Sequence, residues 1–264
     1  VLHLSKQWSI DTMAKTKEAP KPAPTGVVNL CELLTTPPQT VQFTIWLIGK
    51  TPLITHAWSE KAKREMLSKQ VKAMKAGREA RDPQADFVNS LYEMGPNEYG
   101  FPATGFKNAI LSAAHKDKGL ARTTLMGALY LDADMVRVRP ALAGAVCDMP
   151  LIRIYGTKPE MREDMVRVGA GMQKTATLAY RGQFTVWAVR ITGQLNTTLV
   201  PIESLVPLIQ DAGMAVGIGE WRNERKGVFG AFRMATAEEA GEWEKYRAGK
   251  GPLPLPEQMK MAAE

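Results

Sequence analysis

The stretch richest in chemical possibility is GIGEWRNERKGVFG, residues 217–230. Gly217, Gly219, Gly227 and Gly230 flank Arg222, Arg225 and Lys226, with Trp221 and Phe229 close by. Glycine lets the backbone adopt positive φ or approach a ligand closely. Exposed N–H groups and cations suit phosphate oxygens, and a tryptophan face can stack on a base for about 1–3 kcal/mol. Gly219, Trp221, Arg222, Arg225, Lys226 and Gly227 are therefore candidate nucleic-acid-binding residues. The competing reading is a solvated hairpin with turn glycines and a buried Trp. A second segment, 99–119, opens a helix near Thr104 or Gly105 with Lys107 in its first turn. A cation there opposes the macrodipole unless an anion sits beside it, and first-turn N–H groups are themselves a phosphate seat. The alternative is a lysine extended into water. A third, 49–64, carries His56 and Trp58 between a strand and a helix, where a stacking residue or a general acid would stand. No partner acid or base lies at identifiable spacing, so His56 is not assigned as catalytic.

Other chemistries lack their signatures. There is no GxxxxGK followed by Ser or Thr, and GIGEWR lacks the third glycine and downstream acid of a dinucleotide fingerprint. Neither a GxSxG elbow nor HExxH occurs. Asp82 and Asp86, and Asp132 and Asp134, are conceivable metal carboxylates, but such residues more often make turns. No cofactor and no metal site are expected. The two cysteines, Cys31 and Cys147, and three histidines, His3, His56 and His115, offer neither a disulfide framework nor zinc-ligand spacing. A reducing, cytoplasmic setting is expected, with no membrane partner, because no apolar run reaches the ~18–20 residues of a span. With 34 Lys and Arg against 27 Asp and Glu, the net charge of +7 favours anionic partners if the cations cluster.

The elements that must position these residues read as follows. Residues 1–12 precede Met13 and read as an upstream extension, and 1–40 as a flexible Lys/Ala/Pro-rich N-terminal segment. The first strand is VQFTIWLIG, 41–49. Ser59 caps a helix over 60–76 that Gly77 stops. Residues 77–98 form a loop or insertion with a helical turn near 87–92, followed by a helix over 103–115. Short strands follow at 129–139 and 150–156, then a polar stretch at 157–175. TLAYRGQFTVWAVRITG predicts a hairpin over 177–192 about Arg181-Gly182. A helix over 202–212 carries Pro207, which implies a late start or a kink. AVGIG predicts a short strand, VFGAFRM the closing strand, and 237–248 a last helix before a tail at 251–264. The sum is an α+β, ferredoxin-like fold over 41–250, with a large insertion at about 77–175.

Three segments in this order, "TPLIT", "FPATGFKNAIL" and "GIGEWRNERKGVFGAF", resemble the RAMP superfamily, whose members form the backbone of CRISPR effector complexes; the resemblance implies that family's modified RNA-recognition fold. That family carries a "PGSSxKGxLR"-type helix start, matched here by Pro102 to Lys107, and a late glycine-rich loop, matched by Gly217, Gly219, Gly227 and Gly230. The resemblance implies that Lys107 contacts backbone phosphate. The chain lacks the family's paired small hydroxyls, and residues 50–59 contain no aspartate of the kind RNA-cleaving members use, which points to binding without cleavage. The expected partner is single-stranded nucleic acid, RNA or DNA, coated by a homo-oligomer or filament, with other effector subunits as further partners. With about four phosphates neutralised per subunit, log K falls against log salt with a slope near −3. The alternatives are a phage single-strand annealing protein, a metal-independent endoribonuclease using His56 or His115, and a virion structural or assembly protein.

Overall fold

The computed structural model describes residues 39–58, 63–64, 66–67, 82–114, 120–138, 148–168 and 175–256. All belong to the second of two units into which the chain divides after Pro37. Most of the helix expected over 60–76, together with His115, both cysteines and the tail beyond 256, lies outside the described residues. Lys63, Arg64, Met66 and Leu67 within that helix are helical.

The main sheet is antiparallel. Its path runs β11 (Phe232–Met234), β1 (Thr40–Gly49), β10 (Trp187–Asn196), β7 (Met149–Gly156), β4 (Glu98–Pro102), β3 (Glu93–Gly95). Two short strands, β5 (Leu129–Leu131) and β6 (Asp134–Val136), pair with β10 and β7. In β1, β-branched and aromatic side chains alternate between two faces. Leu47 packs in the main core, whereas Trp46 packs in a second cluster on the other side.

Helix α2 (Ala103–Ala114) lies between β1 and β7 in the chain, and helix α4 (Leu205–Asp211) between β10 and β11. The four strands β11-β1-β10-β7 thus stand in the spatial order fourth, first, third, second, all antiparallel, which is the ferredoxin-like arrangement. The fold is α+β, as expected. The crossover helix α2 buries Phe106, Ala109, Ile110 and Ala113 and packs against α4 and the turn after it. Helices α1 (Pro83–Asn89) and α3 (Arg122–Ala128) are short. On the other face, α5 (Ala237–Arg247) lays Trp243 against Trp46, with ring centroids 6.0 Å apart.

Several expectations are corrected. The hairpin about Arg181-Gly182 does not form. Instead β9 (Thr175–Phe184) runs straight through both residues, pairing with β8 (Glu160–Val168) and β2 (Leu53–Thr55) in a separate three-stranded sheet. The chain changes sheets at Thr185-Val186. Gly182 is there for packing rather than turning. A Cβ on it would sit 2.2 Å from Leu91 Cδ2, and its N–H donates to Ser90 Oγ at 2.7 Å. The polar stretch at 157–175 contains β8, whose Arg162 and Asp164 pair along the strand at 2.9 Å. AVGIG is not a strand. Residues Ala212–Val216 make a π turn closed by Gly217 N–H donating to Ala212 O at 2.8 Å, after which Gly217 and Gly219 take φ of 72° and 77°. Pro207 sits in the first turn of α4, which begins only after a 3₁₀ turn at Ile202–Ser204, so the late start is the observed outcome. Asp82 is the N-cap of α1, accepting from Gln84 N–H at 3.0 Å.

Candidate nucleic-acid interface

The glycine-rich loop is held by hydrogen bonds to β2, to the connection that precedes it and to the π turn. Glu220 N–H donates to Ile54 O at 3.0 Å, Gly230 N–H to Pro52 O at 2.9 Å, and Ile218 N–H to Gly230 O at 3.0 Å. Asn223 Nδ2 ties it to Met214 O at 2.9 Å. Its glycines answer to the protein's own backbone. A Cβ at Gly219 would stand 2.4 Å from Ile54 O, and one at Gly227 1.7 Å from Trp221 O. Neighbouring chain, and at Gly219 a positive φ, therefore require these glycines. Two non-glycine residues, Trp221 at φ 53° and Lys226 at φ 63°, bear the left-handed conformations that bend the loop outward.

Between this loop and α2 lies a cleft of about 250 Å³, lined by His56, Tyr92, Gly105, Asn108, Ser112, Gly217 to Glu220, Arg222 and Glu224, among others. His56 Nδ1 lies 3.1 Å from Glu220 Oε1. Because an ionised carboxylate only accepts, Nδ1 carries the proton of this bond and Nε2 is the ring nitrogen left over. The His56 hydrogen bond holds the Glu220 carboxyl below its ordinary value against the opposing effect of burial, with help from the charges of Arg181 and Arg222. Arg222 is already engaged: Nη2 and Nε donate to Glu224 Oε2 at 2.8 and 3.1 Å, and Nη1 to Gly219 O at 3.3 Å. Glu220 was the acid that sequence spacing could not show, since it reaches His56 only through the loop's return to β2.

On the outer side, Trp221, Arg225, Arg222 and Glu220 line an open hollow of about 390 Å³. Trp221 is 38% exposed. Arg225 and Lys226 are exposed and have no ion-pair partner among the described residues. Trp58, 55% exposed, follows His56 out of β2, with Lys63 Nζ 5.9 Å from its ring centroid.

Lys107 does not join them. It is half-buried on α2, whose cleft-facing residues are Gly105, Asn108, Ala109 and Ser112. Residues three and four apart share a helix face, and Lys107 stands off that stripe. The expected convergence of Lys107 with the loop cations in one groove is therefore corrected, and two carboxylates occupy the cleft instead.

Sequence reasoning missed two arginines beneath the loop. Arg162 of β8 places its guanidinium 4.6 Å from the Phe229 ring centroid and donates to Asp164 and Gln183. Arg181 of β9 lies directly across from it in register, 8% exposed, 3.8 Å from Asp164 Oδ2. Its Nε and Nη1 have no hydrogen-bond partner among the described residues. Alternation along β9 would have put Arg181 on this face had the strand been recognised. Among the described residues, no group of three His, Cys, Asp or Glu side chains could hold a metal ion, and no helix is long and apolar enough to cross a membrane.

No protein-family model matches the chain. No curated protein sequence matches it either. Among solved structures, the crystal structure of Cmr6 from Pyrococcus furiosus is similar over 75% of this chain and 99% of its own, at 10% identity and a TM-score of 0.35.

Proposed function

We propose that this chain binds single-stranded nucleic acid without cleaving it, as a RAMP-like subunit that assembles along the strand. The observation that carries the reading is the outer hollow of the loop, where the exposed Trp221 stands beside Arg225, with Lys226 next in the chain. An aromatic face beside unpaired cations is the pairing that a base and its phosphate require. The strand lies over this outer rim rather than in the inner cleft: Glu220 and Arg222 border both, but the cleft adds Glu224, which holds Arg222, whereas the rim adds Trp221 and Arg225 with Lys226 next in the chain. Trp58 offers a second stacking face.

Removing Arg222 and Lys107 from the phosphate contacts leaves two loop cations. The salt slope of log K contributed by the loop is then about −1.4 rather than near −3, at roughly −0.7 per phosphate for a single strand. Fluorescence anisotropy with labelled oligouridylate and oligothymidylate across a salt series measures it. The double variant Arg225→Ala/Lys226→Ala should flatten the slope by about 1.4, and Trp221→Ala should weaken binding by about 1–3 kcal/mol without changing it. Affinity that does not depend on salt, or that ignores all three substitutions, removes the proposal.

One observation favours a second reading, a metal-independent endoribonuclease. The His56–Glu220 pair at 3.1 Å leaves Nε2 to exchange a proton in a cleft that also holds Ser112 and Asn108. Incubation of RNA with wild-type protein and with His56→Ala separates the two. Cleavage abolished by His56→Ala establishes the nuclease, whereas intact RNA bound equally by both supports binding alone.

A further inference from the structure

At the end of β7, remote in sequence from the glycine-rich loop, a second cleft of about 280 Å³ brings together Arg153, Tyr155 and Lys158 from the β7 end, Tyr99 from β4, and Tyr246 and Arg247 from α5. Its lining contains three cations and no carboxylate. Two carboxylates stand beside it: Glu98 holds Arg153 at 2.9 Å, and Glu244 holds Arg247. Both pairs are well exposed, so water and salt screen them and an incoming anion can displace the carboxylates at small cost.

The geometry is specific in two respects. The Arg153 guanidinium lies over the Tyr155 ring, 5.2 Å from its centroid, which builds a flat cationic platform. Tyr155 also packs against Trp46, 5.3 Å between centroids with the rings tilted by 59°, which restrains the platform before any ligand arrives. Tyr246 donates its hydroxyl to Gly156 O at 3.4 Å, closing the floor. Gly156 cannot be otherwise, since a Cβ on it would meet Val186 O at 2.0 Å. On the rim, Asn97 holds φ 58° at the tip of the β3–β4 turn and presents an amide that both donates and accepts.

We infer that this cleft binds a nucleotide unit: a nucleobase stacked on the Arg153–Tyr155 platform, its edge within reach of Asn97, and its phosphate between Lys158 and Arg247. A phosphate alone would leave the platform unused, and an uncharged ring would leave the cations unused. The inference does not depend on the glycine-rich loop binding anything.

Titration of the full chain with adenosine 5′-monophosphate, followed by calorimetry or by NMR up to about 5 mM, tests it in the range of a single weak subsite. Saturable binding is expected, with adenosine and inorganic phosphate each weaker by about tenfold. Arg153→Gln and Lys158→Ala should each weaken the mononucleotide about tenfold while retaining the wild-type melting temperature, and Arg122→Ala, an exposed cation that lines none of the clefts described, should leave it unchanged. Repeating the series with oligouridylate identifies the source. Loss of both ligands in Arg153→Gln marks a stop on the path of a strand, and loss of the mononucleotide alone marks a free-nucleotide site. No saturable binding, or binding that the cleft variants do not alter, overturns the inference.

Discussion

Arg181 carries a full charge at 8% exposure, its nearest carboxylate is 3.8 Å away, and two of its nitrogens have no hydrogen-bond partner among the described residues. A buried guanidinium so poorly satisfied costs stability. Arg181→Met keeps the apolar stem and removes the charge, while Asp164 retains Arg162. Denaturant unfolding should show stability unchanged or raised by about 1 kcal/mol. A loss above about 3 kcal/mol would mean that the guanidinium is a structural partner after all. Glu220 behaves in the opposite sense. Its carboxyl is held below the ordinary value chiefly by the His56 hydrogen bond. The stabilisation is therefore complete above the ordinary carboxylate range and fades as pH falls through the lowered value. Glu220→Gln should be less stable than wild type near neutral pH, with the gap closing in acid, as followed by thermal melts across pH. Gly219 tolerates nothing larger: φ 77° and the nearby Ile54 carbonyl make Gly219→Ala strained and crowded, at a cost of about 1–3 kcal/mol by the same melts.

Among the elements, α5 shows how short-range chemistry and long-range packing divide the work. Thr236 and Glu239 form a capping box: Thr236 Oγ1 accepts from Glu239 N–H at 3.3 Å, and Glu239 Oε2 accepts from Thr236 N–H at 2.8 Å. Arg233 of β11 donates to the same carboxylate at 2.7 Å and, with the cap, pulls the Glu239 pKa down to about 2. Because the folded value is depressed, its contribution is present above the ordinary carboxylate range and is lost as pH drops toward about 2. Thr236→Ala should cost about 1 kcal/mol at neutral pH. Glu239→Gln should flatten the acid limb of the stability profile, and an unchanged limb would show that the carboxylate is not held as described. The loop 217–230 is the contrasting element. It has almost no regular structure, and its shape comes from hydrogen bonds to β2 and the π turn.

At the scale of the whole molecule, the main sheet separates two surfaces. One face carries α2 and α4 with the large core, and the other carries α5 on a small apolar cluster of Trp46, Val186, Ala188 and Trp243. Trp243, 2% exposed, is the buried anchor of α5. Trp243→Ala should cost about 3–5 kcal/mol and loosen α5. Tyr246 and Arg247 line the second cleft from that same helix, so mononucleotide binding should fall with it. Equilibrium unfolding and calorimetry on the same variant check both.

The sequence alone determined what depends on near neighbours. Strand alternation in β1, the small apolar face of α2 and the glycine spacing of 217–230 are local physics, and with them came the α+β class. Residues His56, Trp58, Trp221, Arg222 and Arg225 were singled out from residue type alone. Only the tertiary structure decided which of them are available. Arg222 is held in an ion pair by Glu224 two residues away, Glu220 arrives at His56 from 164 positions along the chain, and Lys107 stands on another helix face from the cleft. Arg181-Gly182 carries the local signature of a turn, yet Leu91, Ser90 and Thr55 press on Gly182 and the chain runs on as a strand. Side-chain type and period act within a few residues. Charge pairing, close backbone approach and strand partnership act between segments that only the fold brings together.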